Sequence, residues 1–317
     1  MRGFVLNDGA PTEMALADAA AQFGKAQFVW LHLDGRKDEA RQWLAAQSDI
    51  PEIARSALLA SETRPRSDTI GHGALVNLRA LGATPEDDPD PLVSMRFWAE
   101  TGRAISLTYR SPLALEPVIA QFLEGEISDG GDLVSEVAVH ITEQLDPHIA
   151  AMGDTLDDIE VGLESERLPA LRRKVNHVRS RAISYRRFVA PQRTALERLA
   201  TNPSDWLDED DRLHLRDAAD RFARMAEELE SIRERAAIVH DELTDLRAEE
   251  LDKRGLVIAI VAFVFLPLTF LTGLLGMNVE GIPYAKEPWA FWGVVGVCFL
   301  VGIGVIGYFV WRRWLER

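Results

Sequence analysis

Residues 255–275 read GLVIAIVAFVFLPLTFLTGLL and contain no charged side chain. As an α-helix this stretch spans about 31 Å at about 1.5 Å per residue, which is the thickness of the apolar part of a bilayer. Residues 290–311 form a second uncharged run of similar length. Core helices of soluble proteins rarely stay so apolar for so long. The sequence therefore predicts two transmembrane helices, 255–275 and 290–311.

The charged residues that flank these two runs predict their orientation. Basic residues precede the first run and follow the second, whereas the connecting segment 276–289 has one lysine and two glutamates. The positive-inside rule then places both termini in the cytoplasm, with a basic tail at 312–317, and the segment 276–289 outside a cytoplasmic (inner) membrane. The residues concerned are Lys253, Arg254, Arg312 and Arg313 inside, and Glu280, Lys286 and Glu287 outside.

The remainder of the chain is acidic and soluble in character. The formal net charge of the 317 residues is −15. Such a surface repels nucleic acid and concentrates cations, although an acidic balance also serves solubility alone. The single cysteine, Cys298, excludes an intrachain disulfide and a zinc site built from cysteines. Residues 1–24 lack the basic flank and apolar core of a signal peptide. The expected partners are a lipid bilayer and further copies of the chain, not nucleic acid.

Residues 1–130 are predicted to form a cytosolic α+β domain with a mixed sheet. Strand candidates are 28–33 and 74–81, and a helix is expected at 36–47. Residues 95–99 and 103–109 are predicted to pair as a hairpin around Thr101-Gly102.

Long helices follow. Residues 131–203 are predicted to form a helical hairpin in which the acidic helix 133–166 neutralises the strongly basic helix 169–200. Residues 204–254 are predicted to be a stalk helix that continues into the first membrane run, giving about seventy residues and about 100 Å. Its apolar residues alternate at spacings of three and four, which predicts a packing seam either between subunits or within one chain. They are Leu215, Ala218, Phe222, Met225, Leu229, Ile232, Ala236, Val239, Leu243 and Leu246.

A second 3-4 series, mostly of small or weakly polar residues, runs through the first membrane stretch. One interpretation is close helix packing in lipid, which small residues permit. The other is that this face lines a narrow path, with the Thr269 hydroxyl inside it and the Asp252 carboxylate at its cytosolic mouth. Because two helices cannot enclose a pore, this second interpretation requires a ring of subunits. The series is Asp252, Gly255, Ala259, Ala262, Leu266, Thr269, Gly273 and Gly276.

The tripeptide Gly276-Met277-Asn278 stands at the outer end of that stretch, and Pro267-Leu268-Thr269 lies within it. With an acidic α+β domain, a long stalk helix and a basic C-terminus, the chain resembles the CorA superfamily of divalent-cation transporters over nearly its whole length. The resemblance implies a funnel-shaped homopentamer whose first membrane helix lines the pore. It implies that Asn278 and Gly276 hold a hydrated cation, that Leu266 and Ile258 form apolar constrictions, and that Asp252 marks the inner mouth. Met277 is expected to pack rather than to bind metal.

The residues after the signature, Val279-Glu280-Gly281-Ile282-Pro283, resemble the ZntB branch of that family, which is associated with zinc. Zinc prefers histidine and cysteine ligands, yet neither membrane run nor the loop contains a histidine. Zinc is therefore expected to pass hydrated, with outer-sphere recognition at Asn278 and no inner-sphere site. Glu280 and Glu287 are expected to attract cations to the entrance. The alternative is a Mg²⁺ or Co²⁺ channel, because Mg²⁺ loses its water reluctantly and suits the same recognition.

A different class of function is a membrane-anchored structural or sensory protein with a coiled coil, which would leave the small-residue series and the Gly-Met-Asn tripeptide unexplained. No enzyme is expected, because the sequence lacks a phosphate-binding loop, a nucleophile elbow and a metalloprotease motif. No cofactor is expected besides the transported cation. The direction of transport, any coupling to protons and the regulatory metal sites do not follow from the sequence.

Overall fold

One mixed sheet organises the amino-terminal part of this computed structural model, which describes residues 1–60, 64–83, 92–163, 168–277, 281–282, 284 and 286–315, with the backbone alone at 310 and 312–315. The strand order is β2-β1-β3-β7-β6-β5-β4, and every neighbouring pair is antiparallel except β3 with β7. The strands are β1 (Arg2–Asn7), β2 (Ala10–Met14), β3 (Phe28–Asp34), β4 (Arg66–Ile70), β5 (Gly73–Leu81), β6 (Leu92–Glu100) and β7 (Arg103–Thr108).

Eight helices accompany these strands in the described residues. Short helices lie between the early strands and after the last one, and the long helices follow. They are α1 (Leu16–Ala20), α2 (Asp38–Ala45), α3 (Glu52–Leu59), α4 (Leu115–Glu124), α5 (Gly130–Gly162), α6 (Leu168–Ala200), α7 (Glu209–Leu275) and α8 (Ala290–Leu315).

Both faces of the sheet are covered, which explains why β3 is apolar almost throughout instead of alternating. On one face, Leu31, Leu33 and Trp98 pack in one buried cluster with Leu44 of α2 and Leu58 of α3. On the other, the Phe4 and Trp30 rings stack at 4.6 Å between centroids, and Phe122 of α4 lies 6.0 Å from Trp30. The amino-terminal part is therefore a sheet between two helical layers.

The predicted strands and hairpin are confirmed. β3 and β5 cover the two strand candidates, and β6 pairs with β7 across a turn in which Gly102 has a φ of +76°. The helix expected at 36–47 is shorter, at Asp38–Ala45. The sequence analysis missed β1, β2, β4, α1, α3 and α4, most of which have five to eight residues and too few periods to detect.

The seam of α7 packs within the chain. Leu215, Phe222, Leu229 and Ala236 have no exposed surface, and the other seam residues are buried as far as Leu243, with Leu246 half-buried. Matching buried stripes occur on α5 and α6, including Ile149, Leu156, Val175 and Tyr185. Of the two arrangements that the spacing allowed, the three helices use the intrachain one. The seam is therefore not a surface available to another subunit.

Phe222→Ala is expected to destabilise this helical packing by about 3–5 kcal/mol, because it removes a fully buried aromatic side chain and leaves a cavity. The matched control is Ile238→Ala on the same helix, where the side chain is 66% exposed and the change should stay within about 0.5 kcal/mol. Chemical denaturation of the detergent-solubilised protein, followed by circular dichroism, measures both. Equal midpoints for the two variants would contradict the buried seam.

Ion pairs between these helices run through α7. Arg186 of α6 pairs with Glu230 at 2.9 Å, and Arg235 of α7 pairs with Asp157 at 2.5 Å and Glu160 at 2.8 Å on α5. The opposite charges of α5 and α6 were expected to neutralise each other directly. In the structure, α7 instead contributes partners to both helices.

The chain divides into two compact units, Met1–His240 and Asp241–Arg317. In the second unit, α7 and α8 contain the stretches that are long and apolar enough to cross a membrane. The two helices contact each other there, since the Phe263 and Phe309 rings lie 6.3 Å apart in an edge-to-face arrangement. One helix of about seventy residues was predicted for the stalk and the first membrane run, and α7 is continuous over 67 residues from Glu209 to Leu275.

Candidate pore-lining face

The face of α7 that packs against α8 is defined by four half-buried side chains, Ile260, Val264, Leu268 and Leu271. Leu268 also lines an apolar groove of about 500 Å³ together with residues of α8, among them Val294 and Cys298. These four bulky side chains therefore serve contact between the two helices of one chain.

The small-residue series occupies the opposite face. At about 100° per residue, its members lie about half a turn around α7 from the stripe that faces α8. All of them are exposed, and Leu266 and Ile258 are 76% and 70% exposed. The structure thus brings together Asp252, Gly255, Ile258, Ala262, Leu266, Thr269, Gly273 and Gly276 along one exposed side of the helix.

Packing within the chain does not account for the glycines of this face. A Cβ added at Gly255 or at Gly273 meets no other atom within 4 Å. Neither residue has a positive φ, so the backbone does not require glycine there either. One chain alone therefore leaves room for a larger side chain at both positions, and small residues at such positions permit the close approach of a neighbouring helix.

Two threonines one turn apart differ in their surroundings. The Thr272 hydroxyl donates to the Leu268 carbonyl at 2.9 Å and lies in the groove beside α8. Thr269 is exposed on the small-residue face, and its hydroxyl takes no hydrogen-bond partner among the described residues. Pro267 interrupts the backbone hydrogen bonds of α7 nearby, since it has no N–H to donate to the carbonyl of Phe263.

Charged residues lie at or near both ends of the small-residue face. At the amino-terminal end, Asp252 is exposed while Lys253 pairs with Glu249 at 3.3 Å and Arg254 with Glu250 at 2.5 Å. At the carboxyl-terminal end, Gly276 and the 49% exposed Met277 follow the helix. Asn278 and Glu280 lie outside the described residues, and Glu287 is exposed beyond the Tyr284–Trp289 ring contact.

A cluster of carboxylates lies in the amino-terminal unit, where α5 and α7 begin. Asp129, Asp132 and Asp211 bring one oxygen each within 4.8 Å of one another, a spacing that could hold a cation. Each of these helices is also capped here, because Asp129 accepts from the Gly131 and Asp132 amides and Asp208 exchanges hydrogen bonds with Asp211. The sequence analysis missed this cluster, although two aspartates each followed by another at the third position were visible as capping signals.

Burial and the neighbouring carboxylates raise the pKa of Asp211 to about 7. Its carboxyl thus holds a proton more tightly in the folded protein than in the unfolded chain. Stability therefore falls as the pH rises from about 4 to about 7, by at most about 4 kcal/mol at about 1.4 kcal/mol per unit.

Asp211→Asn is expected to remove this pH dependence and to raise the melting temperature at pH 8 relative to the wild type, because the buried negative charge is absent. At pH 6 the two proteins should differ less. Thermal melting of the solubilised protein from pH 4 to pH 8 measures the effect, with the exposed Asp220→Asn as control. Melting temperatures that change with pH in the same way in all three proteins would contradict the raised pKa of Asp211.

Histidines join no such cluster in the described part of the chain. His32 is buried against the Ser106 hydroxyl at 2.9 Å, and burial lowers its pKa to about 4. His140 contacts Gln121 and Glu143. Both histidines therefore have structural partners, and no histidine lies on the small-residue face.

Comparisons with known proteins place this arrangement in a family. The family model described as CorA-like Mg²⁺ transporter protein matches residues 25–313. The zinc transport protein ZntB of Klebsiella pneumoniae is 36% identical over 91% of this chain and 86% of its own length. The ZntB of an Enterobacter species is 33% identical over 90% and 88%.

Solved structures agree with the fold. The full-length CmaX protein is 31% identical, with a TM-score of 0.78 over 99% of this chain and 97% of its own. The CorA magnesium transporter of Methanocaldococcus jannaschii, at 16% identity, shares the fold with a TM-score of 0.81 over 98% and 97%. On these matches, and with two membrane-spanning helices behind an α+β domain, the chain belongs to the CorA-like Mg²⁺ transporter family.

Proposed function

We propose that this protein transports divalent metal cations across the cytoplasmic membrane as a ring of identical subunits, with the small-residue face of α7 lining the path. The observation that carries the proposal is the position of that face. It lies on the side of α7 away from α8, fully exposed, and it includes two glycines that no contact within the chain requires.

A ring is needed because α7 and α8 use one face of each helix to pack together and cannot enclose a path by themselves. Five copies, as the family resemblance implies, would bring five small-residue faces together around an axis. Gly255, Ala262 and Gly273 would then leave width for an ion with its water, while Leu266 and Ile258 would narrow the path with apolar side chains.

The chemistry of the face favours a hydrated ion. It offers a carboxylate oxygen at Asp252 and a hydroxyl oxygen at Thr269, and its residues carry no side-chain nitrogen or sulfur ligand. Asn278 amides at the outer end would hydrogen-bond to the water shell of the cation and so avoid the cost of removing it. Glu280 and Glu287 would raise the local concentration of cations before entry.

Zn²⁺ is the cation that we propose first. The two curated relatives at 36% and 33% identity are zinc transport proteins, and each is matched over most of its length. Mg²⁺ or Co²⁺ is the second candidate, because the family model is described by Mg²⁺ and because the oxygen donors of the face suit that ion equally. The relatives are transporters, which agrees with a protein that is not an enzyme.

Flux into liposomes that contain the purified protein tests this proposal, with Zn²⁺, Mg²⁺ and Co²⁺ compared in the presence and absence of a pH gradient. Zinc uptake that increases with the gradient would support a proton-coupled zinc transporter. Magnesium flux that ignores the gradient would support the channel alternative. An assembled oligomer that passes no divalent cation would refute transport. It would favour the structural or sensory function instead.

A further inference from the structure

Acidic and basic residues are separated between the two helices of the hairpin, α5 and α6, and not all of them are paired within the single chain. α5 carries eight acidic residues and no lysine or arginine, whereas α6 carries nine basic residues and one glutamate. Both helices use a narrow apolar stripe for the intrachain seam. Their remaining faces therefore present opposite charges to the surroundings.

Several of these charges take no ion-pair partner anywhere in the described residues. On α6 they are Arg172, Arg173 and Arg179, and on α5 they are Asp154 and Asp158. Arg172, Arg173, Asp154 and Asp158 are exposed. By contrast, the charges that lie toward α7, such as Asp157, Glu160 and Arg186, are paired with it. Among the described residues, the unpaired groups therefore make no ion pair with α7, and the α7 side chain near Asp154 is the like-charged Glu228, which cannot neutralise it.

We propose that the exposed basic face of α6 docks against the exposed acidic face of α5 in a second copy of this chain. The two faces are different surfaces of one chain, so the contact is heterologous and can repeat from subunit to subunit until a ring closes. Charges of opposite sign would then face each other at every interface, which fixes the order and direction of the subunits. This inference rests on the proposed ring.

Charge reversal in the full-length, detergent-solubilised protein tests the inference. The first variant is Arg172→Glu/Arg173→Glu, the second is Asp154→Lys/Asp158→Lys, and the third combines all four changes. Each single-face variant places like charges at every interface, and the oligomer should dissociate at a protein concentration about tenfold higher than the wild type. The combined variant restores opposite charges, so it should return to within about twofold of the wild type.

Light scattering across a dilution series gives the mass of the assembly, and circular dichroism checks that each variant is folded. Asp18→Lys/Glu39→Lys is the matched control for the aspartate variant, since it makes the same change of charge at exposed positions of the sheet domain. For the wild type, raising the salt from about 0.05 M to about 0.5 M should weaken assembly, because screening shortens the reach of exposed charges.

Three results would overturn the inference. An unchanged dissociation concentration in both single-face variants would show that the hairpin faces do not meet. A combined variant no better than the single ones would show that the changes act by other means. Loss of binding to vesicles of anionic lipid in the arginine variant, with assembly intact, would assign the basic face to the membrane. All three results are compatible with an oligomeric wild type and so leave the proposed ring standing. A monomeric wild type would refute the ring itself.

Discussion

Asn278→Ala is expected to abolish the preference for divalent over monovalent cations, or to stop divalent flux, while the oligomer still assembles. Each amide would contribute about 1 kcal/mol to holding the hydrated ion, and a ring of subunits multiplies this contribution. Losing a few kcal/mol of the free energy that holds the hydrated divalent ion corresponds to more than about a tenfold change in selectivity. Asn278 lies outside the described residues, so this expectation rests on its place in the Gly-Met-Asn tripeptide.

Liposome flux of Zn²⁺ and Mg²⁺ against K⁺ measures this effect, and light scattering reports assembly. Asn176→Ala on the exposed side of α6 is the matched control, because it removes the same amide far from the candidate path. Flux and selectivity that match the wild type in the Asn278 variant would remove the outer selectivity site from the proposal.

Thr269→Leu is expected to reduce divalent flux by about tenfold or more, because it replaces a free hydroxyl on the small-residue face by a bulkier apolar group in every subunit. Its matched control is Thr272→Leu, one turn away. The Thr272 hydroxyl is already bonded to the Leu268 carbonyl, and the added methyl groups would enter the groove beside α8.

Initial rates in the same liposome assay compare the two variants at equal protein content. The Thr272 variant should stay within about twofold of the wild type. A larger loss in Thr272→Leu than in Thr269→Leu, or faster flux in Thr269→Leu, would place the path on another side of α7.

The elements that the sequence predicts well are those with many repeated periods. α7 repeats its apolar spacing over more than four heptads, and the two membrane runs are uniform, so their type and length follow from the residues alone. The short elements do not repeat. β2, with the sequence Ala-Pro-Thr-Glu-Met, has no buried residue at all, and it is a strand only because β1 lies beside it.

Contacts between residues that lie far apart in the sequence were the other part of the structure that the sequence did not predict. The spacing of the seam indicated packing without showing whether the partner was the same chain or another, and only the burial of Phe222 and Leu229 decides this. The cluster of Asp129, Asp132 and Asp211 joins residues that are some eighty positions apart. In contrast, the small-residue face was visible in the sequence, because its members lie on one helix and need no long-range contact to align.

The outer edge of the sheet bears on solubility. β2 is its terminal strand, and the backbone groups on its free side could extend the sheet by pairing with another strand. A ring of subunits would hold several copies of this edge strand close together, and this high local concentration favours such pairing. Pro11 has no N–H to donate to an incoming strand, and the exposed Glu13 places a charged side chain on the same short strand. The edge is thereby protected from fibrous aggregation even when several copies are held together.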